Sequence, residues 1–119
     1  MTRRAAELEY DVHVAVADAL RAKGVLFFHP PNGTNVKSHH RRAQLKRMGL
    51  LAGVSDIIIP VPPPCGGYVA AALEIRSSTG TASPEQLQFI EEVRALGWAA
   101  DVARGRDACI AKLKEWGYL

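Results

Sequence analysis

Leu8, Val12, Ala15, Val16, Ala19 and Leu20 recur at three- and four-residue intervals in an otherwise polar segment. That spacing predicts an amphipathic helix from about Arg4 to Ala22, and Gly24 stops it. Val25 to Phe28 is a short apolar run that reads as a strand. The string from His29 through Pro30, Pro31, Asn32, Gly33 and Thr34 to Asn35 consists of turn formers and must be a loop. Ser38 to Met48 is a basic helical segment closed by Gly49, and Gly53 is a second break. Ser55 to Val61 (SDIIIPV) is β-branched and reads as a strand, as does Tyr68 to Arg76 (YVAAALEIR). Between them Pro62 to Gly67 (PPPCGG) permits only a connection, so the two strands predict an antiparallel hairpin with a long tip.

Ser83-Pro84-Glu85-Gln86 marks a helix start: Ser caps, Pro takes the first turn at no hydrogen-bond cost, and Gln stands at the capping-box position. Leu87, Ile90, Val93 and Leu96 carry the apolar stripe to Gly97. Trp98 to Ala103 reads as a third core strand and Asp107 to Trp116 as a terminal helix. The order α-β-α-β-β-α-β-α predicts an α/β fold, a mixed central sheet flanked by helices, in one domain spanning residues 1–119. Trp98 and Trp116 fit that core or an interface better than a base-stacking platform.

Composition adds three points. With 48% hydrophobic and 23% charged residues the chain is of ordinary globular type. The net charge of +3 says little, but its distribution says more: from Ala19 to Ser55 there is no Asp or Glu, while Arg21, Lys23, Lys37, Arg41, Arg42, Lys46 and Arg47 and three of the four histidines lie there. Such a block either attracts a polyanion, nucleic acid being the commonest, or is a solvated face balanced by acids from elsewhere. Cys65 and Cys109 form no CxxC pair and read as two thiols in a reducing cytoplasm. No apolar run approaches the roughly 20 residues of a membrane span, and the N-terminus lacks a signal-peptide core, so a soluble, intracellular protein is expected.

The chemistry concentrates at Asp56 and at Glu74-Ile75-Arg76. Side chains alternate along a strand, so Glu74 and Arg76 share a face and Ile75 takes the other. In an antiparallel hairpin the start of one strand lies beside the end of the next, so Asp56 can meet Glu74. Two carboxylates and a cation then converge at one edge of the sheet. Carboxylates suit Mg2+ or Mn2+, such a cation activates water and offsets charge on a phosphate, and a neighbouring positive group stabilises the transition state. The Ile75 carbonyl lies between the two functional side chains and is a further potential ligand. A surface salt bridge is the plain alternative for any D…ExR pattern.

Taken in order, Asn32-Gly33, the basic helix, Lys46-Arg47-Met48-Gly49, Gly53-Val54-Ser55-Asp56, Leu73-Glu74-Ile75-Arg76 and Ser83-Pro84-Glu85-Gln86 resemble the VRR-NUC domain. That family commonly reads N-G, K-x-x-G-x-x-x-G-x-P-D, E-x-K and S-x-x-Q in the same order, and the resemblance covers nearly the whole chain. It implies a restriction-endonuclease-like fold of the PD-(D/E)xK superfamily, related to Holliday-junction resolvases that work as dimers. By resemblance Asp56 and Glu74 are metal ligands for Mg2+ or Mn2+, with the Ile75 carbonyl and Glu9 assisting. Arg76 takes the place of the motif's lysine, and Gln86 matches the glutamine of the next helix. Glu9 with His13 falls where the family often has Glu and Gln four apart, on one helical face; Glu7 competes with Glu9. The implied function is a divalent-metal-dependent DNA endonuclease, selective for branched or junction DNA and acting as a homodimer, and so compact a nuclease suits a phage or mobile element.

Two departures stand out. Ser55 replaces the family's usual proline, which alters only the turn. Arg76 replaces lysine; Arg stays protonated at any accessible pH and cannot act as a general base. It can hold a phosphate or orient a nucleophile, and if proton transfer is needed the chain is a non-catalytic DNA-binding module on the same fold. Lys37, His39, His40, Arg41, Arg42, Lys46 and Arg47 are the expected contacts to the DNA backbone, with Asn32 shaping the site loop or simply taking a turn before Gly33. His39-His40 lacks a second ligand cluster, so phosphate contact or solvent exposure fits it better than metal. Gln86 is either a site residue or no more than a capping-box residue, and His13 either part of the site or an ordinary surface histidine. No Gly-rich phosphate loop, Ser-His-Asp order or cysteine nucleophile is present.

Overall fold

The computed structural model describes residues 8–31 and 37–119. Helix α1 (Glu9–Ala22) buries Val12, Val16, Ala17 and Leu20, the stripe that its sequence periodicity predicts. Glu9 and Asp11 in its first turn suit the positive end of the helix dipole, and Gly24, at φ +68°, ends it. The next segment alternates strand-fashion: Val25 and Phe27 pack on the core while Leu26 and Phe28 face out. Ladder bonds form at one position only, where Phe28 and Ile58 exchange N–H···O bonds of 3.0 and 2.9 Å. The strand expected over Val25–Phe28 is thus a single bridge. Pro30 and Pro31 follow it and have no N–H to continue a ladder.

Helix α2 (His39–Arg47) starts at Ser38, whose hydroxyl accepts from the Arg41 N–H, and has no buried residue. Strands β1 (Ile57–Ile59), β2 (Ala71–Arg76) and β3 (Ala99–Arg104) form a mixed sheet in the order β1-β2-β3. β1 is antiparallel to β2, with Ile57 opposite Leu73, and β2 is parallel to β3. Between β2 and β3 lies α3 (Pro84–Ala95), opened by a complete Ser83–Gln86 capping box; α4 (Arg106–Glu115) follows β3. β1 and β2 are shorter than their apolar runs because they pair over only three residues before the Pro-rich tip begins. That tip is tied down by Cys65 N–H to the Trp116 carbonyl, 3.0 Å, and by the Tyr118 hydroxyl on the Val61 carbonyl.

Two apolar layers result from the alternation along β2. Leu73 and Ile75 pack with Val12, Val16, Leu20 and Leu113 on the α1/α4 side. Ala72 packs with Ile58, Ile90, Val93 and Ala100 on the α3 side. Each fully buried Leu or Ile contributes on the order of 1.5–3 kcal/mol, and β2 is the central strand, paired on both sides and buried at five of its six residues. Glu74 is next in line on the α3 side, where apolar cover gives way to polar groups. Among the described residues no helix is long and apolar enough to cross a membrane. Cys65 is exposed and Cys109 lies in the core, and they are not joined.

Candidate active site

Extending the β1–β2 register by one position sets Asp56 opposite Glu74. The ladder is completed there by a side chain: Asp56 Oδ2 accepts from the Ile75 N–H at 2.8 Å. A residue's N–H and C=O point to the same side of a strand, so the Ile75 carbonyl also faces Asp56. The Glu74 side chain is 1% exposed. Its Oε1 accepts from Arg76 Nη2 at 2.5 Å and from Gln86 Nε2 at 3.0 Å. Arg76 Nη1 meanwhile lies 3.1 Å from both carboxylate oxygens of Glu9. Arg76 therefore joins the first turn of α1 to the end of β2.

Gln86 has two roles at once. Its Oε1 accepts from the Ser83 N–H at 2.7 Å, completing the helix cap, while its Nε2 holds Glu74. The capping reading and the site reading of Gln86 describe one side chain. The loop before Asp56 is locked onto the same helix start. Gly53 has φ +86°, and a Cβ there would lie 2.4 Å from the Glu85 carbonyl carbon and oxygen. Only glycine allows the two backbones so close.

Burial first, then the neighbouring Asp56 and, least, Glu9 together raise the Glu74 carboxyl to about 9 against the opposing pull of Arg76. With both acids ionised, Glu74 Oε2 is buried without a partner; protonated, Glu74 hydrogen-bonds Asp56. Ser55 Oγ and Arg76 Nε are likewise buried and unpartnered. Each such atom costs on the order of 1–3 kcal/mol, and three together at one sheet edge mark a site arranged for something other than stability.

Histidines border this group. His29 Nδ1 is 2.7 Å from the Asp56 carbonyl oxygen, and its ring meets that of His13 edge-on at 4.4 Å. Burial holds the His13 pKa below its ordinary value, with His29 adding to the effect and Asp56 and Glu9 opposing it.

A solved structure described as "VRR_NUC domain protein" matches at TM-score 0.77 and 25% sequence identity, covering 98% of this chain and 93% of that one. The chain has a VRR-NUC fold. No family model matches the sequence, and no curated protein matches it. The VRR-NUC fold is of nuclease type, and a mixed sheet flanked by helices is the fold class that the element order predicts, although among the described residues the sheet has three strands where four were expected.

Within this VRR-NUC fold Glu9, Asp56, Glu74, Arg76 and Gln86 come together. Glu7 and Asn32 lie outside the described residues. Lys37, His39, His40, Arg41, Arg42, Lys46 and Arg47 are all exposed, on α2 or beside it. Among the described residues none of these cations forms an ion pair, and the one side-chain partner near them is Arg42 Nη2 with His39 Nδ1 at 3.0 Å. His29 was not among the sequence candidates. Its only signal is its place directly after an apolar run and before Pro30, which reads equally well as a plain loop.

Proposed function

We propose that the chain is a divalent-metal-dependent endonuclease that hydrolyses DNA phosphodiester bonds, with a preference for branched or junction DNA and two copies acting together. The observation that supports this most is the pairing of two carboxylates, Asp56 and Glu74, around a buried oxygen that is left without a partner when both acids are ionised. Repulsion between the two acids is the burden that a dication relieves, and an all-oxygen donor set suits Mg2+ or Mn2+. Asp56, Glu74 and the Ile75 carbonyl are the residues that would hold the ion, with Glu9 at the rim. When bound, the ion lowers the pKa of water and offsets negative charge growing on the phosphate.

The chain's own groups account for the rest. Glu74 gives up its proton to become a ligand, and Gln86 together with Arg76 fixes its other oxygen. Arg76 stays charged, so it orients the nucleophile or steadies the phosphate and takes no proton. Its charge is already shared between Glu9 and Glu74, which moderates its pull on phosphate. The unpaired cations of α2 contact the DNA backbone, which positions a duplex without reading its sequence.

The test is cleavage of supercoiled plasmid and of a synthetic four-way junction with Mg2+, Mn2+ or EDTA, beside Asp56→Asn. Metal-dependent cutting that disappears in the variant supports the nuclease, and the preferred substrate separates junction selectivity from general nicking. DNA retention by well-folded protein without any cutting makes the chain a non-catalytic DNA binder, with Arg76 as the reason.

A further inference from the structure

We propose that His13, His29 and Asp56 form a second cation site, one for a nitrogen-preferring transition-metal dication such as Zn2+. One ligand atom from each of the three residues lies within 4.8 Å of the others. They come from three separate parts of the fold: α1, the segment bridged to β1, and the residue before β1. The Phe28–Ile58 bridge brings them together, because it carries His29 across to the start of β1.

The orientation of His29 is the decisive detail. A backbone carbonyl can only accept, so the 2.7 Å contact to the Asp56 carbonyl puts the hydrogen on Nδ1 and leaves the lone pair on Nε2. Metal-ligating histidines are typically held in this way, with one nitrogen donating to a carbonyl or carboxylate and the other facing the ion. His13 stands edge-on to that ring at 86°, half-buried on the inner side, while His29 is exposed on the outer. An open groove between α1 and residues 25–29 borders both rings and leaves room for further ligands. Two imidazoles and one carboxylate favour borderline transition metals over Mg2+, which prefers oxygen. The donor set thus differs in kind from the carboxylates at Glu74, although Asp56 borders both. Zn2+ binding here does not require the chain to cut DNA.

The test uses tag-free, chelator-stripped full chain and Zn2+ alone, followed by calorimetry without DNA. One strong site is expected, with affinity at least about tenfold lower in His13→Gln and in His29→Gln. Long-range 1H–15N spectra of the wild-type protein keep the test decisive even where a variant misfolds, since Zn2+ should shift the ring nitrogens of His13 and His29. No stoichiometric binding, affinity unchanged by the two folded variants, or shifts confined to His39 and His40 would overturn the proposal. The cleavage assay reads the nuclease separately: absent cutting with intact Zn2+ binding, or the converse, tells which of the two readings fails.

Discussion

Glu74→Gln should stabilise the metal-free protein while abolishing its response to Mg2+ or Mn2+. The amide keeps the local bonds: its oxygen accepts from Arg76 and Gln86 as Glu74 Oε1 does, and its nitrogen donates to Asp56 in place of the shared proton. What disappears is the burden of ionising a buried carboxyl. In the unfolded chain that group loses its proton near 4.5, whereas in the fold it keeps it to about 9. Between those values the folded state holds the extra proton, so this group's contribution to stability falls as pH rises, by about 1.4 kcal/mol per unit. The penalty is absent below about 4.5 and levels off above 9. At pH 8 the upper bound is about 5 kcal/mol, and since Asp56 and Arg76 share the charge, a gain of about 2 kcal/mol is expected. For a domain of this size that is a rise in Tm of roughly 8 °C. Thermal melts of both proteins in EDTA from pH 5 to 9 provide the assay. The gap should open with pH, and added Mn2+ should close it by stabilising wild type alone. A gap that is constant across that range would refute the reasoning.

Four further outcomes are expected. Mn2+ must displace the Glu74 proton, so its affinity should rise towards tenfold per pH unit below about pH 9, with proton release visible by calorimetry in buffers of different ionisation heat; a flat profile contradicts this. Arg76→Met should lower cleavage about 100-fold or more while leaving DNA retention intact, measured as single-turnover rate and filter binding. Gly53→Ala should cost about 2–3 kcal/mol in chemical denaturation, from its left-handed φ and its collision with the Glu85 backbone; an unchanged midpoint would count against that close approach. Replacing Arg41, Arg42, Lys46 and Arg47 by Gln should make log affinity fall less steeply with log salt, by about 0.9 for each phosphate that these side chains neutralise in the wild-type complex. Tm should not fall, because none of the four is buried.

The sequence carried the elements whose causes are local. Helices α1, α3 and α4 follow apolar stripes at helical spacing, and α3 starts at the Ser83–Gln86 box as its four residues dictate. The Asp56–Glu74 meeting was legible because one antiparallel hairpin determines it. Arg76 reaching Glu9, 67 positions away, was not, since it depends on how α1 lies against the end of β2. His29 escaped notice for the same reason: its partner is 27 residues distant, across a bridge one residue long. The strand expected at Val25–Phe28 had the right alternation, but ladder length depends on the neighbouring strand and on Pro30.

Helix α2 has a consequence for how the protein engages any polyanion. Nine residues are fewer than an isolated helix needs to persist in water, and none of these is fully buried. Its charges also oppose it: Arg42 and Lys46 repel one turn apart, and its first turn contains no acid to suit the dipole. A line of phosphates removes that repulsion and rewards the helical spacing of the cations. The segment should therefore fray in the free protein and tighten when a polyanion docks, with amide exchange slowing across residues 39–47. Association would then combine electrostatic capture with local folding, and the ordering of the helix would appear as a favourable enthalpy offset by an unfavourable entropy.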